Sequence, residues 1–134
     1  MTYTTAPDSD AIAALAEAAL SRIPDALRSQ LNCIAIAVEE LADDATLDGL
    51  GIESPYDLTG LYQGVPRNLR GANDGGRLPD LIVLYRQAIL LEWIETGETL
   101  ARLVGSVLIH EAAHHFGFSD SDIETLEQAG EELP

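Results

Sequence analysis

The chain has 134 residues, of which 46% are hydrophobic and 22% charged, as is typical of one folded domain with a single core. Its formal net charge is −16, with seven Arg and no Lys. Proteins that bind nucleic acids gain affinity by neutralising phosphates, so this acidity argues against a nucleic-acid partner and against anionic membranes. No apolar run approaches the ~20 residues of a membrane span.

The N-terminal residues include Asp8 and Asp10 and contain no basic segment, so we predict no signal peptide and expect a cytoplasmic location. The lone Cys33 excludes an intramolecular disulfide. We expect residues 1–8 to be flexible and the whole chain, 1–134, to form one domain.

The first predicted helix begins near Ala11, with Ser9 or Asp10 as its N-cap, and Pro24 ends it. Its apolar residues recur at helical spacing, and they are Ile12, Leu15, Ala16, Ala19, Leu20 and Ile23. A short turn over 26–30 is expected to follow this helix.

The middle of the chain predicts strands separated by connections. Over 32–39, bulky β-branched side chains alternate with small ones, which predicts a strand. The acidic segment 40–46 fits either a helical turn or a loop. Glycine and proline then mark a connection over 49–57, and 58–64 (LTGLYQG) is predicted to be a second strand.

A turn-rich loop over 68–76 is predicted to be the tip of a hairpin. It leads to the clearest strand in the chain, 80–86 (DLIVLYR). Residues 87–94 are ambiguous between an extension of this strand and a short helix. Thr96 and Gly97 break that segment, and Thr96 or Thr99 is the candidate N-cap of the next helix.

That next helix has apolar residues at i, i+3, i+4, i+7 and i+8, namely Leu100, Leu103, Val104, Val107 and Leu108. A last helix is predicted from about Ser121. The order α-β-β-β-α plus a final helix predicts an α+β fold. In it, a small sheet of three to four strands packs on the N-terminal helix and on the helix from about 98.

The latter helix runs into the sequence HEAAHHFGFSD. Since His110 and His114 are four residues apart, they lie on one helix face, where two imidazoles can bind one Zn²⁺. Glu111 lies beside the metal and can take a proton from its water, as in the H-E-x-x-H motif. Gly117 can adopt a positive φ and turn the chain back, which lets Asp120 supply a third ligand.

Alternatives exist for the residues around these ligands. Asp120 can instead cap the last helix, and Asp122 is then the alternative third ligand. His115 lies about 100° around the helix from His114, so we expect it to line the cleft or to bond a carboxylate rather than to hold the metal.

Three further residues are candidate accessory groups. Tyr62 and Tyr85 lie on predicted strands, where a tyrosine near the metal can stabilise an oxyanion, although core tyrosines are the commoner alternative. Arg70, in the turn-rich loop, can bind either a substrate carboxylate or a surface aspartate.

The full pattern, H-E-x-x-H-x-x-G-x-x-D, resembles the extended motif of metzincins and snapalysin-like peptidases, with Asp where metzincins carry a third His. Over nearly its whole length the chain is similar to a family of small bacterial zincin-like metallopeptidases. The matching segments are LNCIAIAVEE, LTGLYQGVP, the loop around Arg70, LPDLIVLYRQAI and HEAAHHFGFSDSDI. Since the only methionine is Met1, the Met-turn that metzincins carry after the motif cannot underlie this site.

This resemblance implies a minimal zincin core with zinc at His110, His114 and the aspartate. It also implies that the sheet lies over the metal helix and that its edge strand can pair with an extended substrate. The expected function is a metallopeptidase with one Zn²⁺, Glu111 as general base, and peptide or protein substrates. The alternative is a zincin-fold module that binds a metal or peptide without turnover or with very narrow specificity. The sequence indicates no oligomeric state.

Overall fold

The structure is a computed structural model that describes residues 5–23, 34–63 and 80–116. Within these ranges the chain forms four α-helices and three strands, which confirms the predicted α+β class. The elements are α1 (Ser9–Ser21), β1 (Ile34–Glu39), α2 (Asp44–Leu50), a 3-10 turn (Pro55–Asp57), β2 (Gly60–Gln63), β3 (Asp80–Tyr85), α3 (Arg86–Thr96) and α4 (Leu100–Phe116). None of the helices in these ranges has the length and apolarity needed to cross a membrane.

The three strands form one mixed sheet in the order β1-β3-β2, so β3 is the middle strand and β2 an edge strand of the part described. β1 runs parallel to β3, with Ile34 opposite Asp80. β2 runs antiparallel to β3, with Gly60 opposite Leu84. This antiparallel pairing agrees with the predicted hairpin, whose loop at 68–76 lies outside the described residues. The predicted turn at 26–30 and the last helix also lie outside them.

Two core clusters cover the two faces of β3. The larger core cluster, on the side of α1 and α4, consists of Ile12, Ala16, Ala19, Ile23, Ile82, Leu84, Ile89, Leu100, Leu103, Val104, Val107, Leu108 and Ala112. The smaller core cluster, on the side of α2, consists of Ala42, Leu47, Val83, Tyr85 and Ala88. Because β3 is buried on both faces, it is a continuous apolar run rather than an alternating one.

Two helices depart from the order predicted from the sequence. α2 lies where a helical turn or loop and then a connection are expected. Asp43 caps it by accepting the N–H of Thr46 at 2.8 Å, and Gly51 ends it with φ of 69°. α3 occupies the ambiguous segment and begins at Arg86, which the sequence assigns to the preceding strand. Gly97 ends this helix with φ of 73°, a conformation that favours glycine.

The N-caps of α1 and α4 are also defined. Asp8, in place of Ser9 or Asp10, caps α1, because its carboxylate accepts the N–H of the third helical residue at 2.9 Å. α1 therefore begins two residues before the predicted start. Thr99 rather than Thr96 caps α4, because its Oγ1 accepts a main-chain N–H three residues further on at 3.3 Å.

A polar network joins the segment before α1 to the start of α3. Arg86 donates from Nε to the carbonyl of Pro7 at 2.7 Å and from Nη1 to Oε1 of Glu40 at 2.8 Å. Gln87 donates from Nε2 to the same Oε1 at 3.1 Å. The hydrogen bond from Gln87, followed by the hydrogen bond and charge of Arg86, lowers the pKa of Glu40 in spite of some desolvation.

We expect this network to make stability depend on pH under acid conditions. Because the folded-state pKa of Glu40 is lowered, its contribution is present above the unfolded-state pKa of about 4.3 and is lost as pH falls through the folded-state value. Between about pH 6 and about pH 3, Tm should therefore fall less steeply in Glu40→Gln than in Glu92→Gln, which alters an exposed glutamate of α3. The difference should shrink at high salt. Equal slopes of Tm against pH in the two variants would contradict the role of Glu40.

Candidate functional site

The predicted motif lies at the C-terminal end of α4. His110, Glu111 and His114 belong to one continuous helix that extends to Phe116. The predicted apolar stripe of this helix is buried, and it consists of Leu100, Leu103, Val104, Val107 and Leu108. The helix is thus anchored in the larger core cluster, and positions 110 and 114 share a face at its end.

Adjacent residues of the motif have different surroundings. His110 is exposed, whereas Glu111 is buried with 9% of its surface exposed. Consecutive positions on an α-helix differ by about 100°, so these two residues mark the border between the solvent face of α4 and the face that packs on the sheet. A buried carboxylate is costly unless it is hydrogen-bonded.

The carboxylate of Glu111 is hydrogen-bonded to the edge strand, since its Oε1 accepts the main-chain N–H of Tyr62 at 2.9 Å. Just before β2, the carbonyl of Thr59 accepts the N–H of Tyr85 at 2.9 Å and therefore points toward β3. Main-chain groups alternate in direction along a strand, so the N–H of Tyr62 points away from β3. Glu111 therefore occupies a hydrogen-bonding position on the outer edge of the sheet.

Gly60 allows β2 to lie directly against α4. A Cβ at this position would be 2.7 Å from Cγ1 of Val107 and 3.3 Å from Cγ of Glu111. A glycine inside a strand often marks such a close approach. The sequence signal for Gly60 is therefore the first glycine of LTGLYQG, which a search for metal ligands and catalytic groups does not use.

The two candidate tyrosines lie on opposite faces of the sheet. The side chain of Tyr62 packs against the larger core cluster, on the side of α4, and its hydroxyl is buried. Tyr85 belongs to the smaller core cluster, where burial and then the charges of Glu39 and Asp43 raise its pKa. The structure therefore places Tyr62, and not Tyr85, on the side of Glu111.

The remaining candidate groups lie outside the described part of the chain. They are the side chains of His114 and His115 and the residues Arg70, Asp120 and Asp122. Among the side chains that are described, no three His, Cys, Asp or Glu groups come together as a metal site. Asp120 as third ligand, with Asp122 as the alternative, stays a prediction.

The donor chemistry at the end of α4 fits a zinc ion. His110 is exposed, and the backbone of His114 lies about one turn further along the same continuous helix. Imidazole nitrogens are common zinc ligands, and catalytic zinc sites combine three protein ligands with an open position. The carboxylate of Glu111, beside the first imidazole, is a group that can accept a proton there.

Comparison with known proteins adds a family relationship. The family model described as zincin-like metallopeptidase matches residues 31–129. This match covers more than half of the 134 residues and includes every element from β1 to α4 together with the motif. A search of curated proteins found no match.

Proposed function

Because the chain belongs to the family of zincin-like metallopeptidases, we propose that it is a zinc-dependent peptidase that hydrolyses peptide bonds. In this proposal His110, His114 and Asp120 hold one Zn²⁺, with Asp122 as the alternative to Asp120. The observation that supports it most directly is the buried carboxylate of Glu111 beside the exposed His110. Glutamate is rarely buried unless it is paired. The helix places Glu111 one residue from a proposed ligand.

Zinc, when bound, polarises the scissile carbonyl and lowers the pKa of a water toward about 7. Glu111 accepts a proton from the attacking water on a carboxylate oxygen and then delivers this proton to the leaving amine. The N–H of Tyr62 holds Oε1 of Glu111 at 2.9 Å and so restricts the orientation of the carboxylate.

The substrate is proposed to bind along β2. An extended peptide can add to a sheet edge through main-chain hydrogen bonds, and on β2 these would use outward groups other than the N–H of Tyr62, which Glu111 occupies. Since the N–H of Tyr62 bonds to Glu111, a peptide on this edge lies close to the proposed base. Peptide or protein substrates, rather than nucleic acids, also agree with the net charge of −16. A cytoplasmic location is part of this proposal.

Zinc content and peptide cleavage test the proposal together. The purified protein should hold about one Zn²⁺ per chain, and the zinc-loaded protein should cleave members of a diverse peptide library until a chelator is added. A protein that takes up no zinc would contradict the proposal. Zinc binding without cleavage would favour the alternative of a metal- or peptide-binding module, or very narrow specificity. A proteome-wide search for cleaved proteins separates these two.

The ligands are tested by substitutions on the same helix. His114→Ala should weaken zinc binding by more than about 100-fold, the upper range seen when only a supporting contact of a ligand is lost. His115→Ala is the matched control, because it removes the neighbouring imidazole, which is not a proposed ligand, and it should weaken zinc binding far less than His114→Ala does. Competition with a chromophoric chelator measures the zinc dissociation constants of both variants. Unchanged affinity in His114→Ala would contradict the site.

The choice between the two aspartates follows from the same measurement. If Asp120 is the third ligand, Asp120→Ala should lose zinc affinity while Asp122→Ala retains it. The reverse result would assign the ligand to Asp122.

A further inference from the structure

The edge strand lies close to the side chain of Glu111 at two positions. The N–H of Tyr62 donates to Oε1 at 2.9 Å, and a Cβ at Gly60 would lie 3.3 Å from Cγ. Residues i and i+2 of a strand share a face, so positions 60 and 62 both face α4. The end of the glutamate side chain is therefore bonded to β2, and its middle lies where a side chain at position 60 would reach it.

From this geometry we infer that Gly60 and the main-chain N–H of Tyr62 are positioning groups for Glu111. This role rests on the proposed function, in which Glu111 transfers the proton. The absence of a side chain at Gly60 sets the distance between β2 and α4. A larger residue pushes β2 outward, and the N–H of Tyr62 then no longer reaches Oε1. A carboxylate without this bond is held less closely in the orientation that proton transfer requires.

The surroundings of Gly60 leave little room for a Cβ at this position. A Cβ there would lie 2.7 Å from Cγ1 of Val107 and 3.4 Å from the main-chain oxygen of Val83 in β3. Val107 is buried, and a β-branched residue in a helix strongly prefers one χ1 rotamer, so its methyl group cannot easily turn away. Relief therefore requires a wider spacing between β2 and α4, the two elements that the bond from Tyr62 to Glu111 joins.

Gly60→Ala tests this role with two measurements. In the metal-free protein, the chemical shift of the Tyr62 amide proton reports the hydrogen bond. It should move upfield in Gly60→Ala, as it should in Glu111→Ala. In the zinc-loaded protein, kcat should fall by about 10- to 100-fold while zinc affinity stays unchanged, because misplacement of the carboxylate weakens proton transfer in the transition state.

A rescue variant and a control separate positioning from a general loss of structure. Val107→Ala removes the Cγ1 that a Cβ at position 60 would strike. In the double variant Gly60→Ala/Val107→Ala, the Tyr62 amide shift and kcat should therefore both return toward wild type. Gly105→Ala is the control. It also adds a Cβ to a buried glycine, but at an ordinary contact of 3.6 Å from Cβ of Ala19, and it should change neither measurement.

An unmoved Tyr62 amide in Gly60→Ala would overturn the inference, as would a loss of kcat that Val107→Ala fails to rescue. If Gly60→Ala does not fold, Glu111→Asp serves as the second variant. Its side chain is one CH₂ shorter and β2 is unaltered, so the Tyr62 amide should again move upfield, and an unchanged shift would overturn the inference. A wild-type protein without peptidase activity would refute the proposed function, whereas the amide shifts would still decide whether β2 positions Glu111.

Discussion

Glu111→Gln should bind zinc as tightly as the wild-type protein. Its kcat/KM should be lower by about 10²- to 10⁴-fold. Glutamine has nearly the same shape as glutamate, and its amide oxygen can still accept the N–H of Tyr62. It cannot take up a proton from water at neutral pH, so the variant removes proton transfer and keeps the contact with β2. Zinc content and kcat/KM on a cleaved library peptide measure the two properties separately.

Two further variants are compared with Glu111→Gln. Glu95→Gln makes the same chemical change at an exposed position of α3 and should leave kcat/KM unchanged. Glu111→Ala removes both the proton acceptor and the bond to Tyr62, so it should be at least as inactive as Glu111→Gln. Hydrolysis at the wild-type rate by Glu111→Gln would rule out Glu111 as the base.

Ile89→Ala should lower the free energy of unfolding by about 2–5 kcal/mol, a large part of the roughly 5–15 kcal/mol that stabilises a typical domain. Ile89 has 0% exposure and belongs to the larger core cluster. Ile94→Ala, on the same helix, should change the free energy of unfolding by less than about 0.5 kcal/mol, because its side chain is 74% exposed. Alanine favours helix formation equally at both positions, so the difference reports burial.

Denaturant unfolding of both variants measures this difference. Similar losses at the two positions would mean that α3 does not pack on the core through Ile89. An extended conformation of 87–94 would also place these two residues on opposite faces of a sheet, but it would not give these residues the backbone NMR chemical shifts of a helix. The two measurements together therefore check both the burial and the type of this element.

The helix α4 could be predicted from the sequence because its apolar stripe has a clear helical period and its burial follows that stripe. α3 could not be assigned from the sequence. Its apolar residues lie around the whole helix, with Ile89 buried but Leu91 and Ile94 exposed, so neither a helical nor an alternating period stands out. No turn signal separates β3 from α3 either, since Arg86 starts the helix directly after Tyr85.

At the candidate site, local spacing could be predicted from the sequence, whereas a contact between distant residues could not. The spacing of His110, Glu111 and His114 predicts their common helix, because it depends only on local geometry. The hydrogen bond from Tyr62 to Glu111 joins residues that are 49 positions apart and uses a main-chain donor. Every residue other than proline has such a donor, so no side-chain pattern could have indicated it.

The bond between Glu111 and Tyr62 also affects how molecules of this protein behave toward one another. The outward N–H and C=O groups of an edge strand are a template on which strands of other molecules can add and aggregate. β2 has only four residues, and the outward N–H of Tyr62 is already bonded to a buried carboxylate. The residue proposed to transfer the proton therefore also makes this edge a poorer template for aggregation.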